Sequence, residues 1–164
     1  MHADTIVRFV VILLASSLAA GCGWRLQGTS RLPELFATAY VETRDPHTEF
    51  HRALRESLLA SGAKLVDDRS AATAIVRIRS DVSGQRVLSV SARNTPEEYQ
   101  VYYIVQYSVE SGGRELIPLD TIEMTRDYSY DERAVLAKQR EQSILREALA
   151  RDLAGMIVRR LATL

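Results

Sequence analysis

A chain of 164 residues with 21 Lys+Arg against 21 Asp+Glu, 46% hydrophobic residues and one cysteine has the length for one domain with a core, not two. The zero formal net charge excludes the basic excess of a nucleic-acid binder, and a lone cysteine excludes an internal disulfide framework or a Cys-rich metal site. Charged residues at 26% with 8 Gly and 4 Pro describe an ordered globular chain, not a disordered one.

Residues 1–8 form a short polar start, and Phe9 to Ala20 is an almost wholly apolar run of twelve residues. Twelve helical residues cover about 18 Å, well short of the roughly 30 Å of a hydrocarbon core, so the run reads as a secretory h-region and not as a permanent membrane span. It closes on Ala19-Ala20-Gly21 directly before Cys22. Small side chains there admit the backbone to a peptidase cleft. A cysteine at that point resembles a bacterial lipobox, with Leu18 one place upstream of the usual leucine. The alternative is ordinary secretion with a free thiol. The lipobox implies removal of residues 1–21 as a lipoprotein signal peptide, S-diacylglycerol on Cys22 and an N-acyl group on its amine. Removal takes away Arg8 and Asp4, leaving the mature charge balanced, and the second mature residue, Gly23, favours the outer membrane by lipoprotein sorting rules.

Residues 22–36, with Gly23, Gly28 and Pro33 as punctuation, are expected to be a lipidated tether, and residues 37–164 the domain. Ala37 to Glu42 reads as a strand. After the Asp45-Pro46 turn, Thr48 caps a helix on which Phe50, Leu54 and Leu58 recur every four residues, with Gly62 as its stop. Ala74, Val76, Ile78 and Val82 alternate with Arg77, Arg79 and Asp81, which predicts a strand with one apolar and one charged face. Past Ser83-Gly84 the pattern resumes, as one long bent strand or two. Asn94-Thr95-Pro96 is turn chemistry. Tyr99, Val101, Tyr103, Val105, Tyr107 and Val109 are predicted to share one face of a strand, Ser111 to Arg114 to form a hairpin, and Leu116 to Tyr128 to return. A final helix runs from about Ala137 to Leu161, with Leu145, Leu149, Leu153, Met156 or Ile157, and Leu161 as its apolar stripe. The order β-α-β-β-β-α predicts a single α+β domain, with both helices on one face of a roughly four-stranded sheet.

Little in this pattern carries chemistry. His47 and His51 are four apart but lack the H-E-x-x-H order and a third ligand, so they read as solvated surface histidines and no metal site is expected. No serine stands in a G-x-S-x-G elbow. No catalytic residue, no cofactor beyond the covalent lipid, and no enzyme activity are expected. Tyr99, Tyr103 and Tyr107 read as core. Tyr102, Tyr128 and Tyr130 fall to plain surface, to a protein interface or to a membrane-level belt, where an aromatic body with a polar tip is useful.

Three stretches resemble one family. Cys22-Gly23-Trp24-Arg25-Leu26-Gln27-Gly28 with Leu32-Pro33 is similar to the opening of the LptE family of lipopolysaccharide-assembly lipoproteins. Arg93-Asn94-Thr95-Pro96-Glu97-Glu98-Tyr99 resembles its arginine turn. Tyr128-Ser129-Tyr130-Asp131, Ala134 to Lys138 and Glu141-Gln142 resemble its entry into the last helix. Gln27 departs from a position often basic in the family. The resemblance implies two helices on a four-stranded sheet and a non-catalytic partner of the LptD β-barrel. Such a partner is a plug in the barrel lumen, lipid-anchored at the outer membrane on its periplasmic side, that assists barrel assembly and lipopolysaccharide transport. It also singles out Arg93 and Lys138, at positions basic in the family motifs, as lipopolysaccharide contacts, with Arg140 a third. Lipid A and core phosphates require such cations. The alternative function is a free-standing outer-membrane lipoprotein that binds another envelope partner or a small periplasmic ligand.

Overall fold

The computed structural model describes residues 31–130 and 134–164. Its elements are β1 (Thr38–Glu42), α1 (Glu49–Ala60), β2 (Lys64–Leu65), β3 (Ala74–Val90), β4 (Pro96–Ser111), β5 (Arg114–Ser129) and α2 (Val135–Leu161). The sheet order is β2-β1-β3-β4-β5. β1 runs parallel to β2 and β3, and β3, β4 and β5 are mutually antiparallel. The α+β class stands, and the sheet has five strands where four were expected. The extra one, β2, is two residues long, too short to show any periodicity.

α1 forms where the sequence predicts it. Thr48 Oγ1 accepts the His51 N–H at 3.1 Å, satisfying one of the donors a helix start leaves free. Gly62, at φ 93°, turns the chain out in a conformation that favours glycine. Phe50, Leu54 and Leu58 are fully buried against the sheet. On α2, Leu149, Leu153, Ile157 and Leu161 enter the same core, with Leu145 packed at its edge, and it is Ile157 that continues the stripe while Met156 stays outside. Tyr103, Tyr107, Val101, Val105 and Val109 of β4 are buried beneath both helices. Phe36, the last residue before the predicted first strand, is also fully buried, and the Leu32 N–H donates to Ser61 O at 3.2 Å.

β3 is one continuous strand, and a bulge changes what its second half presents. Ile78 pairs with Tyr107 and Ser80 with Gln106, leaving Arg79 as the extra residue. One added residue flips every side chain that follows to the other face. Asp81, predicted on the charged outer face, therefore turns toward the helices, and Val82, predicted in the core, is 51% exposed on the opposite side. That opposite side has no helix on it. It carries an ion-pair ring in which Arg69 and Arg77 each contact both Glu42 and Glu110 at 2.8–3.4 Å. Beyond the ring come Ser80 bonded to Gln106, and Arg86 to Gln100 to Asp127.

On this bare face Gly84 pairs with Tyr102, and the hydroxyl end of the tyrosine ring occupies the space of the missing side chain. A Cβ at residue 84 would stand 2.6 Å from the Tyr102 Cζ. Gly84→Val is expected to push the ring off and lower stability by about 1–3 kcal/mol, the usual cost of overpacking. The urea midpoint checks it. Relief of the loss in Gly84→Val/Tyr102→Ala marks the clash as the cause.

The strands give the domain two ends. The described chain enters at residue 31 beside the end of α1, near the start of β3 and the β4–β5 hairpin. Seventeen residues of β3, at about 3.3 Å each, carry the β3–β4 hairpin, the end of β5 and the start of α2 to a tip at the other end.

Candidate functional site

The tip is where the structure gathers the predicted contacts. In the 91–95 turn, the Ser91 N–H donates to Thr95 O at 2.8 Å and the Asn94 N–H to Ser91 O at 2.9 Å, with Asn94 at φ 60°. Asparagine is among the residues that tolerate this left-handed geometry. The turn holds Arg93 out in solvent.

Lys138 lies in the first turn of α2, with its side chain only 20% exposed. Nζ is 2.8 Å from Glu141 Oε2 and 6.0 Å from the centre of the Tyr128 ring. The anion that a cation at a helix start calls for is thus supplied from within the helix. Arg140, two residues or about half a turn on, is exposed. Arg93 and Lys138 share the tip, Arg140 lies on the opposite side of α2 from Lys138, and Cys22 lies outside the described residues, as do residues 131–133 of the last resemblance stretch.

Tyr128 departs from the predicted surface or interface position. It is 8% exposed, stacked on Tyr99 with centroids 5.8 Å apart, and its hydroxyl donates to Gln85 Oε1 at 2.8 Å. Tyr99 in turn meets Tyr130 edge-on at 5.3 Å, the arrangement aromatic quadrupoles prefer. Cross-strand registry is the cause: Tyr99 pairs with Tyr128. Two irregularities between Tyr107 and Glu110 shift the pairing by two residues, so counting back from the predicted turn sets Arg126, not Tyr128, opposite Tyr99, and the sequence carried no signal for the stack. Around this stack Val87, Leu88 and Val90 of β3 and Val135 and Leu136 of α2 are 43–81% exposed.

A second cluster sits at the start of α1. Thr48 donates to Asp81 Oδ2, the Phe50 N–H donates to the Tyr103 hydroxyl at 3.3 Å, and Asp81 Oδ1 is buried without a hydrogen-bond partner among the described residues. Burial pushes the Asp81 carboxyl above its usual range, against the Thr48 bond, and pushes the Tyr103 phenol far up, with the Asp81 carboxylate adding to it. His51 is 8% exposed and not solvated as predicted; its Nδ1–H donates to Pro46 O at 2.8 Å, and burial holds its pKa below 6.5.

A folded-state pKa below the unfolded one means His51 contributes stability above about pH 6.5 that is lost as pH falls. Asp81, shifted the other way, contributes on the acid side, and that contribution fades as pH rises through its raised value. His51→Gln is expected to flatten the fall in urea midpoint between about pH 7 and about pH 5.5. Parallel curves for variant and wild type contradict that assignment.

Nothing in these clusters is arranged for bond-making. Among the described residues no histidine ring hydrogen-bonds a Ser or Thr hydroxyl, and no three His, Cys, Asp or Glu side chains converge as metal ligands. A 460 Å³ groove along α1, lined by His47, His51, Arg52, Arg55 and Leu59 among others, is open to solvent and holds no nucleophile–base pair.

The lipopolysaccharide-assembly family model LptE matches residues 36–161, the span from the first fully buried residue to the end of α2. The chain belongs to the LptE family. An LPS-assembly lipoprotein LptE of Pectobacterium atrosepticum is 34% identical over 94% of this chain and 84% of its own length, and one of Yersinia enterocolitica is 29% identical over 94% and 75%. Among solved structures, rare lipoprotein B from Shewanella oneidensis is similar at 28% identity and a TM-score of 0.68, covering 77% of this chain and 94% of that one. A lipoprotein B from Nitrosomonas europaea, solved by NMR, is similar at 25% and 0.71, covering 85% and 90%. No helix among the described residues is long and apolar enough to cross a membrane.

Proposed function

We propose that this chain is a non-catalytic outer-membrane lipoprotein that occupies the lumen of the LptD β-barrel from the periplasmic side, assists its assembly and takes part in passing lipopolysaccharide to the outer leaflet. Family membership across residues 36–161 carries this reading. The bare sheet face supports it: a wall of Arg–Glu pairs, glutamines and serines suits the polar interior of a barrel, which an apolar face does not.

Arg93 and Lys138, brought to that tip, are the contacts for the anionic glycolipid head, with Arg140 a third from the other side of α2. Lys138 is already paired with Glu141, so it acts as one member of a charge cluster, and Arg93, exposed and in no ion pair among the described residues, as the other cation. Arg93→Glu/Lys138→Glu is expected to lower the lipopolysaccharide that co-purifies by about tenfold or more, as loss of two charge-assisted contacts implies. Unchanged lipopolysaccharide with the barrel complex intact overturns the assignment.

A further inference from the structure

α1 begins at Glu49, and Glu49 Oε1 pairs with Arg146 of α2 at 3.0 Å. The turns of α2 that precede Arg146 therefore run past the start of α1 and lie on the sheet alone. Helical spacing puts Leu136, Arg140, Ser143 and Glu147 on one stripe. Glu147 borders α1 across a 260 Å³ cleft shared with Glu49, Arg52 and Glu56. Leu136, Arg140 and Ser143 thus flank the space that α1 would fill were it longer. The floor of that space is the helix-facing side of β3, where Gln85 pairs with Val101 and Val87 with Tyr99. Cover fades along this floor: Ser83 is half-buried, Gln85 exposed and Val87 48% exposed. On the wall Leu136 is 81% exposed. The result is a shelf floored by Gln85, Val87 and Tyr99, walled by Leu136 and Ser143, and rimmed by Arg140.

We propose that this shelf receives an acyl chain of lipopolysaccharide, with Val87 and Leu136 against the hydrocarbon and Arg140 against a phosphate of the same molecule; this rests on the lipopolysaccharide reading above. Five of the eleven large apolar side chains exposed among the described residues, Val87, Leu88, Val90, Val135 and Leu136, stand at this one end. A concentration of that kind marks a contact surface. The charge at its edge selects the occupant. Arg93 and Arg140 are exposed there, and among the described residues neither ends on a carboxylate. Hydrocarbon floor and cationic rim together match an anionic amphiphile. A purely ionic ligand leaves Leu136 in water, and a neutral apolar partner leaves Arg140 unanswered.

The test uses the full lipoprotein purified with its barrel in mild detergent from cells carrying Leu136→Asp, Val87→Asp or Leu136→Met, with bound lipopolysaccharide quantified on each. Both aspartate variants are expected to lose about tenfold of the bound lipopolysaccharide, since burying one aliphatic side chain is worth about that factor, while Leu136→Met retains it. Lipopolysaccharide freed of its acyl chains by alkali is expected to bind wild type and Leu136→Asp alike. High exposure at Leu136 keeps folding out of the result, and thermal unfolding verifies it. Unchanged lipopolysaccharide on the aspartate variants, with loss on Arg93→Glu/Lys138→Glu, overturns the shelf and leaves the head-group reading standing. Loss of the barrel from Leu136→Asp assigns the shelf to a protein partner and also overturns it.

Discussion

Cys22→Ser is expected to abolish incorporation of radiolabelled palmitate into the chain and to leave residues 1–21 attached. The serine offers no thiol for the diacylglycerol, and with the leader uncleaved residue 22 has no free amine to acylate; loss of both also costs the anchor. Each buried methylene contributes about 0.8 kcal/mol, so one chain binds a membrane marginally and reversibly, whereas a diacylglycerol plus an N-acyl chain holds almost permanently. The retained leader is too short to replace that anchor as a membrane span. Label on the serine variant contradicts the lipoprotein assignment outright. The folded domain of that variant is expected to keep wild-type stability, because the core among the described residues is built from Leu32 and Phe36 onward, ten or more residues beyond the modified cysteine.

Phe50→Ala is expected to cost about 3–5 kcal/mol. The ring is fully buried, lies 6.3 Å from the Tyr103 ring and sits in the first turn of α1. Its loss opens a cavity at the point where the helix is fastened to the sheet, and the same turn carries the Thr48 cap, the Asp81 contact and the Phe50 N–H bond to Tyr103. A domain of this size has only about 5–15 kcal/mol in total, so the variant is expected to be partly unfolded and protease-sensitive at growth temperature. Equilibrium urea unfolding measures the loss. A drop under about 1 kcal/mol would mean that the site collapses around the gap and that α1 is held mainly by Leu54 and Leu58.

The elements that were legible in the sequence are those whose periodicity is long and uninterrupted. Phe50, Leu54 and Leu58 on one helix, Leu149, Leu153 and Leu161 on another, and the alternating Tyr and Val of β4 each repeat often enough to fix a face. What escaped did so for local reasons. The bulge at Arg79 leaves the alternation of β3 intact on paper while exchanging Asp81 and Val82 between faces. His51 reads as surface because it neighbours charged residues, yet the loop at Pro46 folds over it. Tyr128 became core through hairpin registry and not through its own segment. At the candidate site, the resemblance carried Arg93 and Lys138. The aliphatic shelf beside them depends on α1 stopping short of α2, a difference in lengths that no single stretch of sequence displays.

A chain that plugs a barrel lays the bare face of its sheet against the inside of that barrel. Tyr102 and Ile104, half-buried at the middle of that face, are the positions from which to test it by site-specific photo-cross-linking in living cells. The expected adduct joins the chain to a single large outer-membrane β-barrel, recognisable by its faster migration when left unheated. Adducts only to small soluble periplasmic proteins, or none at either position while the protein remains folded and membrane-bound, would contradict it.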